Sequence, residues 1–87
     1  MVNIDIYTSR SCPYCIRAKS LLKSKGVKFN ELEVDGNPDL IAESVKRSDG
    51  MRTVPQIFIE KFHVGGYDDM VNLDNDGKLD SLLELNN

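Results

Sequence analysis

Eighty-seven residues, 40% hydrophobic and 29% charged, suit one small domain spanning 1–87 around a single core, with no apolar run long enough to cross a membrane. The net charge of −3 hides an asymmetry, because residues 1–30 carry a net +5 and residues 31–87 a net −8. An acidic chain with no basic-aromatic stripe is not expected to bind nucleic acid, and a start of "MVNIDIYTS" without a basic leader points to the reducing cytoplasm.

In chain order, "VNIDIYT" alternates Val2, Ile4 and Ile6 against Asn3, Asp5 and Tyr7, the period of a half-buried strand. From Pro13 the period becomes helical, with Cys15, Ala18, Leu21 and Leu22 on one side and "KSKG" as the stop. "VKFNELEV" reads as a second strand with Val27, Phe29, Leu32 and Val34 turned inward. The turn "DGNP" then starts a helix near Pro38 that runs to about Arg47, with Leu40, Ile41 and Val45 as its apolar side. "VPQIFIE" and "FHVGG" are two short strands of a hairpin. "YDDMVNLDNDG" is a short helix, and "KLDSLLEL" adds a final amphipathic turn or two. The order β-α-β-α-β-β-α, without linker or repeat, describes one α/β domain.

The only cysteines, Cys12 and Cys15, fall where the first strand hands over to the first helix. Cys12 sits at or just before the helix N-terminus and Cys15 within its first turn. A strand, a loop and a C-x-x-C at a helix start point to thiol–disulfide chemistry. Unpaired N–H groups and the macrodipole stabilise a thiolate there, so Cys12 is expected to be the exposed, ionised sulfur and Cys15 the inward one. A more stable thiolate attacks more weakly but leaves more easily, which favours a catalyst that turns over at sulfur. Arg10, Arg17 and the other basic groups nearby suit a small anionic partner. A zinc site within one chain lacks ligands, since only Cys12, Cys15 and the distant His63 are available. His63 is expected to pack or cap locally, and Met51, Met70 and Phe58 to be core or rim.

Three segments in order resemble the glutaredoxins: "CPYC", "RTVPQIFI" and "HVGGYDD". The resemblance implies a thioredoxin fold, a four-stranded mixed sheet in the order 2-1-3-4 with helices on both faces. It also implies glutathione as reductant and co-substrate. Cys12 would then be the nucleophile that accepts glutathione from a mixed disulfide. Cys15 would resolve protein disulfides by closing on Cys12. Tyr14 would border the glutathione groove, and Thr53, Val54 and a cis Pro55 would offer the Val54 backbone to its peptide body. Gly65, Gly66, Tyr67 and Asp68 would hold its γ-glutamyl end, with the Tyr67 and Asp68 N–H groups on the carboxylate and the Asp68 side chain on the ammonium. Many family members carry Lys three residues before the first cysteine. Here that position is Ser9, and the cation for the glycyl carboxylate is expected from Arg10 or from Arg52.

The implied partners are glutathione and disulfide-containing or glutathionylated proteins, served by a monomer. Two other readings stay open. One is an iron–sulfur carrier in which two chains share a cluster through Cys12 and glutathione; Pro13 speaks against it, because cluster carriers usually have a small residue there. The other is a redoxin reduced by thioredoxin reductase, which the glutathione-matching segments disfavour.

Overall fold

A computed structural model describes residues 2–85. Strand β1 (Ile4–Thr8) is followed by α1 (Pro13–Ser24), β2 (Asn30–Glu33) and α2 (Pro38–Arg47). Then come β3 (Gln56–Ile59), β4 (Phe62–Gly65), α3 (Tyr67–Asn75) and α4 (Lys78–Leu82). The sheet order is β2-β1-β3-β4, with β1 parallel to β2 and antiparallel to β3. This is the mixed four-stranded sheet of a thioredoxin fold.

The period of two sorts β1 and β3 onto two faces. Ile4, Ile6, Ile57 and Ile59 meet Ala18 and Leu22 of α1, Met70 of α3 and Leu79 of α4 in the main core. Burying each large aliphatic side chain there contributes about 1.5–3 kcal/mol. On the opposite face lie Tyr7 and Phe58, edge to face at 5.8 Å, with the Arg47 guanidinium 4.1 Å from the Phe58 ring. Tyr7 was expected on the polar side of its strand, but it is fully buried. Its hydroxyl donates to Glu43 Oε2 (2.5 Å) and accepts from Arg47 Nη1 (2.8 Å), so α2 covers this face.

That helix docks differently from its sequence pattern. Ser44 is its buried residue and Ile41 is exposed, because polar contacts from Glu43 and Arg47 fix its rotation on the sheet. Strand β2 is also shorter than the alternation suggested. Val27 and Phe29 pack half-buried on the core from the segment before it. At the end of the chain, Gly77 in the left-handed region (φ +75°) separates α4 from α3, so the last amphipathic turns form their own helix.

Candidate active site

Cys12 is the N-cap of α1, in extended conformation (φ −102°, ψ 108°), and Pro13 follows at the first helical position, where a missing N–H costs nothing. The Cys12 Sγ accepts the backbone N–H of Cys15 at 3.2 Å and, as a thiol, reaches the Val54 carbonyl at 3.7 Å. With no N–H on Pro13 and that of Cys12 bonded to the Ser9 carbonyl, the N–H groups of Tyr14 and Cys15 precede the first intrahelical bond, and that of Cys15 points at this sulfur. Cys12 is half-buried, whereas Cys15 is 1% exposed. Burial first, and the contact with Cys12 second, push the Cys15 thiol up to about 12, against a smaller opposing pull from the Ser9 backbone.

A groove of about 190 Å³ is lined by Tyr14, Thr53, Val54, Pro55, Gly66, Tyr67, Asp68 and Asp69. Three elements build it. Tyr14 comes from the first turn of α1 and stands 6.3 Å from the Tyr67 ring, with the Arg17 guanidinium 5.2 Å from its own ring centre. Thr53–Val54–Pro55 forms the second wall just before β3, and the Val54–Pro55 peptide bond is cis. The third wall is the start of α3, where the Gly66 N–H donates to Asp69 Oδ2 at 2.9 Å. The N–H groups of Tyr67 and Asp68 precede the first intrahelical bond, which Met70 donates to the Gly66 carbonyl. Gly65 precedes this turn at φ +109°, and a Cβ there would run into the Asp69 carboxylate.

The glutaredoxin family model matches residues 4–64. The chain belongs to the glutaredoxin family. It is 57% identical over 84 residues to glutaredoxin 3 of Escherichia coli K12, covering 97% of this chain and all of that one. A glutaredoxin of Pseudomonas aeruginosa is 54% identical over 83 residues, covering 95% of this chain and 98% of its own. Among solved structures, the solution structure of glutaredoxin from Brucella melitensis superposes with a TM-score of 0.82 at 54% identity, covering 95% and 89% of the two chains. A buckwheat glutaredoxin–glutathione complex superposes at 0.85 and 31% identity, covering 95% and 77%. As a glutaredoxin, this protein is a thiol–disulfide oxidoreductase, and Cys12 and Cys15 are its C-x-x-C.

Of the residues singled out in the sequence, Tyr14, Thr53, Val54, Pro55, Gly66, Tyr67 and Asp68 come together in this one groove beside Cys12. Arg10 does not line it. Its backbone N–H donates to Asp35 Oδ2 at 2.8 Å, its guanidinium lies 3.9 Å from the same oxygen, and Ser9 donates to the other Asp35 oxygen at 2.9 Å. Arg52 lines a neighbouring cleft that shares Thr53 and Val54 with the groove. His63 packs locally, as expected, with its ring stacked on Phe58 at 4.8 Å.

Two residues that shape the site carry no role in the sequence analysis, although Asp69 lies within "HVGGYDD". Asp69 was within reach, since an acid three residues after Gly66 is where a helix caps its own start. Asp35 was not, because nothing local marks it as the anchor of a loop 25 residues earlier. Among the described residues, no three His, Cys, Asp or Glu side chains gather as a metal site.

Proposed function

We propose that this glutaredoxin reduces glutathione mixed disulfides and protein disulfides with glutathione as the electron source. The observation that supports it most is the position of Cys12 Sγ, 3.7 Å from the Val54 carbonyl at the edge of the groove and on the N-terminus of α1. Val54 lies outside the β3 ladder, so its backbone suits the peptide-like body of glutathione as an added strand. The start of α3 suits the γ-glutamyl carboxylate, and the exposed Asp68 suits the γ-glutamyl ammonium.

The Cys12 thiolate attacks the glutathione-side sulfur of R–S–S–G. A Cys12–glutathione disulfide forms as the old S–S bond breaks, and R–S⁻ leaves and takes a proton. A second glutathione thiolate attacks the glutathione sulfur of that disulfide and releases oxidised glutathione and the Cys12 thiolate. Each mixed disulfide thus consumes one free glutathione thiol, and the other half of the oxidised glutathione is the glutathionyl group taken from the substrate. The Cys15 N–H, already aimed at Cys12 Sγ, strengthens when that sulfur is ionised, because a charge-assisted bond is about twice as strong as a neutral one. For a protein disulfide, the Cys12 thiolate first forms a mixed disulfide and frees one protein thiol. Cys15 then gives up its proton and attacks Cys12 Sγ, closing a Cys12–Cys15 bond as the second protein thiolate leaves and takes that proton. Two glutathiones reopen the bond as oxidised glutathione. The high thiol pKa of Cys15 keeps it out of the first attack.

The protein works in this reading as a monomeric single domain of the cytoplasm. The test is glutathione-driven reduction of a small glutathione mixed disulfide by wild type, Cys12→Ser and Cys15→Ser. An inactive Cys12→Ser beside an active Cys15→Ser is the expected result. Turnover of wild type with thioredoxin reductase but not with glutathione would overturn the groove assignment.

A further inference from the structure

Gln56 opens β3 directly after Pro55, and although polar it is 1% exposed. Its side chain folds back on the groove wall. The amide Nε2 donates to the Thr53 carbonyl at 3.1 Å and to Thr53 Oγ1 at 3.3 Å. Its Oε1 lies 2.7 Å from His63 Nε2. A carboxamide oxygen only accepts, so His63 donates from Nε2, and the amide nitrogen is thereby turned toward Thr53. His63 is itself fixed, with its ring stacked on Phe58 at 4.8 Å and 21° while Arg47 sits by the same Phe58 ring.

Thr53 needs this support. It precedes the sheet, whose β1–β3 register begins at Gln56, and among the described residues Gln56 alone bonds its carbonyl. The next residue, Val54, carries the carbonyl that meets Cys12 Sγ.

We infer that Gln56 and His63 are a positioning pair: His63 orients the Gln56 amide, and the amide sets the Thr53–Val54 edge at its distance from Cys12. The pair thereby governs affinity for the glutathionyl half of a substrate that neither residue touches. The inference rests on the glutathione reading of the groove. An edge that binds the glutathionyl group alike before and during sulfur transfer acts on KM and leaves kcat in place.

The test uses Gln56→Glu and His63→Leu in the full chain. Glutamate keeps the shape and still accepts from His63, but it sets an acceptor against the Thr53 carbonyl. For Gln56→Glu, KM for a glutathione mixed disulfide is expected to rise about tenfold, the size of one or two lost hydrogen bonds, with kcat within about twofold. His63→Leu frees the amide to turn and is expected to raise KM about threefold. Alkylation of Cys12 by iodoacetamide, which needs no groove, should stay within about twofold of wild type in both variants.

Unchanged KM in both variants of an enzyme that is active in wild-type form overturns the inference alone. A fall in kcat together with slower alkylation also overturns it, since the pair would then act on the Cys12 thiol. A wild type without glutathione activity removes the glutathione reading and this inference with it. If Gln56→Glu does not fold, the KM of His63→Leu decides.

Discussion

Replacing Cys15 with serine should change how stability responds to alkali. The Cys15 thiol is raised from an ordinary 9.0 to about 12, chiefly by burial among the core residues behind α1. Between those values the folded chain holds a proton that the unfolded chain has lost. The contribution is therefore whole below pH 9, falls as pH climbs, and is gone above about 12. At pH 8 the unfolded thiol is still mostly protonated and the loss is close to zero. By pH 10 about ten-elevenths of it is ionised when unfolded, against about a hundredth when folded, a loss of about 1.4 kcal/mol. Cys15→Ser lacks this titration, and any constant cost of the serine cancels between the two pH values. Urea unfolding of both proteins at pH 8 and pH 10, under a reductant, reads the difference directly. Wild type should lose about 1.4 kcal/mol more than Cys15→Ser over that interval. Equal losses would refute the protonated, buried thiol and with it the reason proposed for Cys15 staying out of the first attack.

Gly65→Ala should lower stability by about 2–3 kcal/mol in thermal or urea melts, because it strains a residue at φ +109° and displaces the Asp69 carboxylate from the Gly66 N–H. Tyr7→Phe removes the hydroxyl shared by Glu43 and Arg47; a loss of about 1–2 kcal/mol in urea unfolding is expected, with Cys12 alkylation unchanged. The glycyl carboxylate of glutathione is expected to lean on Arg52 more than on Arg10, which Asp35 holds outside the groove. Arg52→Ala should raise KM for glutathione about two- to fivefold, as an exposed ion pair allows, and Arg10→Ala less than about twofold. The reverse ranking in steady-state kinetics would show that Arg10 leaves Asp35 when glutathione binds.

What could be read from the chain follows from how local each feature is. The alternation of Ile4 and Ile6 in β1 and the helical stripe of Cys15, Ala18 and Leu22 are short-range patterns, and these residues are buried. Tyr7 misled because strand periodicity separates two faces without saying that both are covered. A phenol next to aspartate reads as solvent-facing until Glu43 and Arg47 arrive from α2, 36 and 40 residues on. The groove residues were legible because their motifs lie in three short segments at element junctions. The fate of Arg10 was not, since its position depends on Asp35 across the β1–β2 crossover.

The spacing of the two cysteines is itself explained by the first turn of α1. Counting from the N-cap, the third helical residue is the one whose N–H points back to the cap side chain, and Cys15 holds that place at 3.2 Å from Cys12 Sγ. It is also the only one of three neighbours that enters the core: Tyr14 is 51% exposed and Ile16 58%, against 1% for Cys15. One residue fewer between the cysteines would put the second sulfur at the Tyr14 position, and one more at the Ile16 position, in water in either case. Both alternatives leave the second thiol without the burial that raises Cys15, and so without the difference that orders the two sulfurs. With two residues between, helix geometry alone makes the sulfurs unequal, one capping the helix at the groove and the other protonated in the core behind it. The same 3.6-residue period that aligns Cys15 with Ala18 and Leu22 puts one sulfur at the groove and the other in the core, and in the proposed mechanism that difference decides which attacks first.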